Sequence, residues 1–406
     1  MLAGVMPDSE DCLYMNIYTP AKMSDENLPV FIYFHGGGWT AASGMFFDGT
    51  KLAQKGIIVV TINYRLATFG ALALPELTQE SEYNSSGNYH ILDMIQSLKW
   101  LQNNITNFGG DPDNVTISGQ SAGAHSTNII VSSPLAKGLF NKVILNSGAA
   151  SMNSALREFE SLDDAEAAGT AYMEALGADS LEELRAMSTE ELSSVALPDY
   201  SPIIDGYVLP ETVSNIYNKG EQSIVPMLVG FTRDEQVANT FPTAAEFVSE
   251  SQAKYGDFID EFLEVYPANT DEEAKWSSIW LTADTRYAWH MYALAREQGK
   301  KADTYLYYFN YQNENSEYVR HSDEVYYIFG LSDEPDADAL SLSENIANYW
   351  VNFIKTGNPN GDSLPEWTKF TDAPNQIMEL GNNLGMIENP RLGKFQFLDA
   401  YLESLK

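Results

Sequence analysis

The sequence predicts an α/β protein built on one large, mostly parallel β-sheet. Short apolar runs rich in β-branched residues alternate with segments of helical periodicity, which is the pattern of a doubly wound sheet. Midway through this alternation, one such run ends in Gly-Gln-Ser-Ala-Gly at residues 119–123, and a helix-compatible run follows. The 406 residues are 44% hydrophobic and 12% aromatic, which is ample for a packed core and excludes global disorder.

Nine segments have the composition of strands, and the helical runs between them favour parallel pairing. A turn is expected at 108–112, and an amphipathic helix at 341–355 is ended by Gly357 and Pro359. The last two strand segments are short and are expected at an edge of the sheet. The predicted strands span 13–19, 28–34, 56–64, 115–118, 142–146, 225–230, 304–310, 377–380 and 384–388.

Two long helical stretches interrupt this pattern. Residues 154–197 are rich in Ala, Glu and Leu and strongly acidic, and residues 241–300 are helical and carry three tryptophans. The chain has no internal repeat and no linker rich in Pro, Gly or Ser. We therefore expect a single domain, 1–406, in which both stretches are helical insertions that cap the carboxyl edge of the sheet.

The charge and cysteine content restrict the partners and the compartment. The formal net charge is −34, from 57 acidic and 23 basic residues, which argues against nucleic acid and anionic membrane surfaces as partners. Cys12 is the single cysteine, so no intramolecular disulfide is possible. Neither a signal peptide nor an apolar run of membrane-spanning length is visible. A cytoplasmic location is the expectation.

The motif at 119–123 places Ser121 on a tight strand-to-helix turn. Such a turn forces the serine into a strained backbone conformation, so the residues two positions before and after it must be small. Its hydroxyl then points away from the sheet, and the next N–H lies at a helix N-terminus, where an oxyanion is stabilised. The alternative interpretation is a Gly/Ser-rich turn with no chemistry.

Chain order identifies His321 as the base for this serine. A nucleophilic serine needs a histidine base and a carboxylate that orients it, and in this arrangement both follow the serine on loops after later strands. His35 and His90 precede it. His125 lies on the serine's own helix and His290 lies within a helical run, where packing roles are expected.

The acid and the oxyanion donors are expected on two further loops. Asp234 and Glu235 both follow the strand at 225–230, and spacing alone does not separate them. A triple glycine directly after the strand at 28–34 allows close approach of the backbone to a substrate. We expect the N–H groups of Gly37 and Gly38, with that of Ala122, to form an oxyanion hole; a plain flexible turn is the alternative.

Ten short stretches carry further motifs, at 9–17, 35–39, 63–66, 87–88, 108–112, 119–124, 205–206, 234–235, 321–330 and 355–359. In these motifs and their order the chain resembles the type-B carboxylesterase family, which includes cholinesterases and bacterial para-nitrobenzyl esterases. The resemblance implies an α/β-hydrolase fold, ester hydrolysis, Glu235 rather than Asp234 as the acid, and His321 as the base. It also maps a three-donor oxyanion hole onto Gly37, Gly38 and Ala122.

The chain also departs from the family pattern. Only eight residues precede the stretch at 9–17, where family members usually have about ninety more, so we expect one wall of the usual gorge to be missing. Leu2 occupies the position of the choline-stacking tryptophan, which disfavours cholinesterase activity. Gln120 stands where many members have Glu, and Gln236 replaces the usual glycine after the acid.

The leading hypothesis is a serine carboxylesterase that acts on a small-molecule ester through an acyl-enzyme and needs no metal or cofactor. The alternative is a catalytically weak or non-catalytic binding relative of the same fold. A lipase ranks lower because the segments available for a lid are acidic rather than apolar. An exposed edge strand at 13–19 would favour a homodimer.

Overall fold

A nine-stranded sheet forms the centre of the protein. The structure, a computed structural model, describes residues 9–405 except 151, 154, 158, 237–242, 313–315, 331–336 and 372. The strands are β1 (Met15–Tyr18), β2 (Leu28–Phe34), β3 (Ile58–Ile62), β4 (Gly110–Gln120), β5 (Lys142–Asn146), β6 (Met227–Thr232), β7 (Thr304–Asn310), β8 (Gln376–Gly381) and β9 (Gly385–Glu388).

The strand order is β1-β3-β2-β4-β5-β6-β7-β8-β9. The outermost pairs, β1 with β3 and β8 with β9, are antiparallel, and the pairs between them are parallel. The predicted mostly parallel sheet is therefore confirmed, and the two late segments do lie at its edge. Strand β1 forms the opposite edge, and a homodimer there stays a prediction.

The expected turn at 108–112 is partly wrong, because β4 already begins at Gly110. Leu28 pairs with Gly110, and the register between β2 and β4 shifts before Val30 pairs with Val115. This irregularity accommodates the residues of β4 that lie between Gly110 and Val115. Gly110 is needed there, since a Cβ would lie 2.6 Å from the Ile105 side chain.

Helices cover both faces of the sheet. In the described residues none is long and apolar enough to cross a membrane. The helices are α1 (Thr50–Ala53), α2 (Ala67–Ala71), α3 (Pro75–Glu80), α4 (Tyr89–Asn104), α5 (Ala122–Ser132), α6 (Leu162–Ala175), α7 (Leu181–Ala186), α8 (Thr189–Leu192), α9 (Val213–Lys219), α10 (Ala244–Tyr255), α11 (Ile259–Val265), α12 (Asp271–Ala283), α13 (Trp289–Gly299), α14 (Asp323–Phe329), α15 (Ala337–Thr356) and α16 (Leu392–Ser404).

Both acidic stretches contain several helices. Helices α6–α8 lie in the first, and α10–α13 lie in the second, with a π-helical segment, Asp284–Ala288, between α12 and α13. The first residues of the two predicted insertions, 154 and 241–242, are outside the described residues, as is Leu2. That both stretches form a cap within a single domain stays a proposal.

Two apolar cores, one on each face, explain why the inner strands are continuous apolar runs. In β2, Val30 and Ile32 belong to one core while Phe31 and Tyr33 belong to the other. Successive side chains of a strand point to opposite faces, so a strand covered on both faces cannot alternate apolar with polar residues. The second core is rich in aromatic side chains and packs β7 against α15.

Close backbone contacts fix the start of α5 against the ends of β2 and β4. A Cβ on Gly123 would lie 2.1 Å from the carbonyl oxygen of Phe34, and one on Gly119 would lie 2.3 Å from the carbonyl carbon of Gly123. Real Cβ atoms do not approach backbone this closely. The small residues predicted on either side of Ser121 are therefore a steric requirement.

Gly123→Ala should lower the free energy of unfolding by about 3 kcal/mol or more, because rigid backbone must move to admit the methyl group. Urea unfolding measures the loss. Gly138→Ala is the control, since Gly138 has φ +82° and no atom within 4 Å of an added Cβ; it should cost only about 1–2 kcal/mol of left-handed strain. Equal losses would contradict the steric explanation.

Candidate active site

The turn between β4 and α5 holds Ser121 in a strained conformation. Its φ is 55° and its ψ is −125°, a backbone region that residues other than glycine rarely occupy. The Ser121 N–H donates to the carbonyl of Asn146 at 3.0 Å, and its carbonyl accepts from the N–H of His125 at 2.9 Å. Both hydrogen bonds fix the backbone of the turn, and neither involves the Ser121 hydroxyl.

The glycine loop after β2 lies against this turn. A Cβ on Gly36 would lie 3.1 Å from Cβ of Ser121, so the loop contacts the serine directly. Gly37 and Gly38 have φ of 108° and 62°. A Cβ on Gly37 would lie 1.8 Å from the carbonyl oxygen of Ala41, which excludes any other residue there.

The predicted oxyanion donors are free to bind a substrate. In the part of the chain that the structure describes, the N–H groups of Gly37, Gly38 and Ala122 donate to no protein acceptor. The indole N–H of buried Trp39 donates to Oγ of Ser126 on α5 at 2.9 Å and ties the glycine loop to the helix that follows the serine. Donors held in this way need no rearrangement to meet developing charge.

His321 and Glu235 are in direct contact. Nδ1 of His321 donates to Oε2 of Glu235, while the His321 backbone N–H donates to the Glu235 carbonyl at 2.8 Å. Oε1 of Glu235 accepts from the N–H of Thr232 at 2.9 Å, and the carboxylate is buried. With its proton on Nδ1, the imidazole keeps Nε2 as an acceptor, which is the form a general base requires.

Asp234 has a different, structural set of partners. Oδ2 accepts from the N–H of Val319 at 2.8 Å and from Nε of Arg233 at 2.9 Å, and Oδ1 accepts from the indole N–H of Trp280 at 3.1 Å. These bonds hold the segment before His321 against the loop after β6. The geometry thus separates two neighbouring carboxyl groups that spacing alone could not distinguish.

The other four histidines are buried and are not suited to act as the general base. Burial lowers the pKa of His35 and of His90 to about 4, and that of His290 to about 3. Burial, and then the adjacent charge of Arg157, hold the pKa of His125 well below its usual value. His321 alone of the five is not fully enclosed, with 17% of its side chain exposed.

Sequence reasoning missed the role of Gln120. Its amide Nε2 lies 3.0 Å from Nε2 of His321 and donates to it, because the other imidazole nitrogen already carries the proton. Among the described residues the Nε2 partner is therefore Gln120, and Ser121 is the next residue along the chain. The substitution of Gln for the more usual Glu was noted from the sequence, but only the fold shows that the side chain reaches the imidazole.

A further buried carboxyl group, Glu324, lies near Glu235. Oε1 accepts from Oγ of Ser147 at 3.3 Å, and Oε2 has no hydrogen-bond partner among the described residues. Burial first, and then the nearby charge of Glu235, raise the pKa of Glu324 well above its usual range. A neutral carboxylic acid at this position avoids two adjacent negative charges.

We predict that Glu324→Gln stabilises the protein increasingly as pH rises. A carboxyl group whose pKa is raised in the folded state stabilises the fold fully at pH values below its unfolded pKa, near 4.5. This stabilisation is lost as the pH rises toward the folded pKa. The neutral amide has no such loss. The difference in unfolding free energy between variant and wild type should grow above pH 4.5 by at most about 1.4 kcal/mol per pH unit.

Chemical denaturation at a series of pH values measures this difference. Glu344→Gln is the control, because that carboxylate is exposed and paired with Lys55. A flat difference for the Glu324 variant would show that the buried carboxyl group ionises normally.

The site is assembled from side chains and backbone groups that four different loops bring together. In the described residues, no group of His, Cys, Asp and Glu side chains is arranged as metal ligands. A strained serine at a strand-to-helix turn, a histidine and a buried acid on later loops, and free N–H groups on a glycine loop together define an α/β-hydrolase. This fold class is the one expected from the sequence.

Comparison with known proteins gives the family. The Carboxylesterase family profile matches residues 2–398. Fumonisin B1 esterase of Sphingopyxis macrogoltabida is 34% identical over 93% of this chain and 74% of its own length. Para-nitrobenzyl esterase of Bacillus subtilis (strain 168) is 30% identical over 96% of this chain and 83% of its own. A solved PNB esterase structure superposes with a TM-score of 0.83 at 30% identity, covering 98% of this chain and 86% of that one.

The chain belongs to the carboxylesterase family, and it is a carboxylic ester hydrolase. The family resemblance seen in the sequence motifs is confirmed. Small-molecule esters are accordingly its class of substrate.

Proposed function

We propose that this hydrolase is a serine carboxylesterase in which Ser121 is the nucleophile, His321 the general base and Glu235 the orienting acid. The observation that carries the proposal is the contact of His321 Nδ1 with Glu235, which leaves Nε2 as an acceptor beside the strained turn that holds Ser121. A buried acid in this position stabilises the imidazolium that forms during the reaction.

The reaction proceeds in two halves. Oγ of Ser121 attacks the ester carbonyl carbon while its proton passes to Nε2 of His321, and the carbonyl oxygen becomes an oxyanion bound by Gly37, Gly38 and Ala122. The bond to the alcohol oxygen then breaks, and His321 returns the proton to that oxygen. Water attacks the acyl-enzyme by the same route, which releases the acid and restores the serine.

One observation favours the alternative, a catalytically weak or non-catalytic binding relative. Nε2 of His321 accepts from Gln120, so in this conformation the serine hydroxyl lacks its base. Catalysis requires the imidazole to exchange the amide for the hydroxyl. The strained Ser121 and the buried acid paired with His321 favour catalysis, because ligand binding needs neither of them.

Ser121→Ala should lower the turnover of short para-nitrophenyl esters by at least about 10³-fold, because the acyl-enzyme can no longer form. Turnover is measured with correction for spontaneous hydrolysis. Ser147→Ala is the matched control, since this neighbouring buried serine contacts Glu324 rather than the base. Near-wild-type turnover in the Ser121 variant, or no fluorophosphonate adduct on Ser121 in folded wild type, would contradict the proposal.

The isosteric pair Glu235→Gln and Asp234→Asn separates the acid from its neighbour. Glu235→Gln should lower kcat by about 10³–10⁴-fold with little change in stability, because the imidazole loses its orienting charge. Asp234→Asn should lower the free energy of unfolding by about 1–3 kcal/mol, because it disturbs three hydrogen bonds of a buried carboxylate. Its kcat should fall much less. The reverse pattern in kinetics and urea unfolding would assign Asp234 as the acid.

A further inference from the structure

A cleft of about 400 Å³ opens beside the glycine loop. Gly38 and Trp39 form part of its wall, and the segments 198–201 and 285–286 form another part. Gly38 is one of the proposed oxyanion donors, so a molecule whose carbonyl lies in the oxyanion hole can extend into this cleft. Two of its lining residues are arginines, Arg157 and Arg286, in a chain whose net charge is −34.

Arg157 is held rigidly within the wall. Its guanidinium Nη1 donates to Nε2 of His125 at 2.9 Å, and its Cζ lies 5.8 Å from the ring centre of Trp39 and 5.4 Å from that of Phe159. Burial has the largest effect on the pKa of Arg157 and lowers it. The nearby positive charge of Arg286 also lowers this pKa. Both guanidinium groups line the same cleft, and their like charges repel each other. An anion between them would relieve that repulsion.

Arg286 is exposed at the mouth of the cleft and is tied to the catalytic loop. Its Nη1 donates to Oε1 of Gln236 at 2.7 Å, and Gln236 directly follows the proposed acid Glu235. Among the described residues no carboxylate forms an ion pair with Arg286. The glutamine that replaces the family's usual glycine thus orients an arginine without neutralising it.

The π-helical segment Asp284–Ala288 explains how this arginine reaches the site. The wider turn presents Thr285 and Arg286 to the cleft, while the ring of the next residue, Tyr287, lies 4.7 Å from that of His321. Buried Asp284 anchors the segment, because its carboxylate accepts from the hydroxyl of Tyr266 at 2.8 Å. Interruptions of this kind in a helix frequently mark functional sites.

Among the described residues that line the cleft, Asp199 carries the opposing charge. Its carboxylate accepts from the N–H of Ser201 at 2.9 Å, and it raises the pKa of Arg157. The described part of the lining therefore carries two positive charges and one negative charge. Such a balance suits one additional carboxylate, whereas the exposed surface as a whole repels anions.

We propose that the cleft formed by Arg157, Arg286 and Trp39 binds a carboxylate of the substrate, so that the enzyme prefers esters carrying a negative charge in the acid or the alcohol part. This inference rests on the proposed function, since it takes the oxyanion hole at Gly38 as the place of the scissile carbonyl. Guanidinium groups are the side chains best suited to a carboxylate, which they bind through two parallel hydrogen bonds.

Matched pairs of esters test the preference. For the acid part, 4-nitrophenyl hydrogen adipate is compared with 4-nitrophenyl hexanoate, which has the same chain length and no charge. For the alcohol part, 4-carboxyphenyl acetate is compared with 4-methylphenyl acetate. The readout is the ratio of kcat/KM for the charged ester to that for the neutral ester, after subtraction of spontaneous hydrolysis. The ratio is divided by the same ratio for hydroxide-catalysed hydrolysis, because the substituent also changes the reactivity of the ester. A corrected ratio above one in either pair supports the proposal and identifies the side on which the carboxylate binds, and a corrected ratio of one or less in both pairs would overturn it.

Variants connect the ratio to the cleft. Arg286→Gln should lower it by about tenfold, the loss expected for one charged hydrogen bond, and Arg286→Lys should restore part of it. Asp199→Asn should raise the ratio. Arg185→Gln is the control, because this exposed arginine pairs with Glu80 on another part of the surface and its replacement changes the net charge equally. A ratio measured on one preparation is unaffected by partial loss of folded enzyme.

The outcomes separate the two proposals. Active hydrolysis of the neutral esters, with a ratio that Arg286→Gln leaves unchanged in both pairs, would overturn the carboxylate site and leave the esterase function intact. Loss of hydrolysis for neutral and charged esters alike in wild type would overturn the proposed function itself. A ratio that falls equally in the Arg185→Gln control would show a general effect of net charge and would also overturn the site.

Discussion

The contact between Gly123 and the carbonyl of Phe34 is the constraint on which the site depends. It brings the first turn of α5 against the end of β2, so the serine turn and the glycine loop must occupy the same small region. A larger residue at Gly123 or Gly119 would separate them. The strain at Ser121 is maintained by this packing, because the surrounding backbone leaves the serine no relaxed alternative.

The remaining groups reach the same edge through the parallel sheet. Neighbouring strands β6 and β7 present their carboxyl ends beside those of β4 and β5, and the loops that follow carry the proposed acid and the proposed base. Asp234 fixes these loops to each other through Val319, which leaves Glu235 to face His321. The two adjacent carboxylates thus have different contacts: that of Asp234 holds the two loops together, and that of Glu235 binds the imidazole.

Much of this arrangement was predictable from the chain because strands, tight turns and chain order have strong local signals. The strand pattern, the serine turn and His321 all follow from residues close in sequence or from the order of elements. The division of roles between Asp234 and Glu235 did not follow, since it depends on contacts with Val319 and Trp280 far along the chain. Arg286 was missed for the same reason: a helical surface residue becomes part of the cleft only through the π-helical turn.

Gln120 touches two parts of the site at once. Its amide nitrogen contacts the imidazole of His321, and its amide oxygen would lie 2.7 Å from a Cβ on Gly36, so the oxygen packs against the glycine loop. The imidazole of His321 and the glycine loop therefore share one rigid planar group as a neighbour. Substitutions in these two regions should be energetically coupled rather than additive, because each alters the position of the same amide.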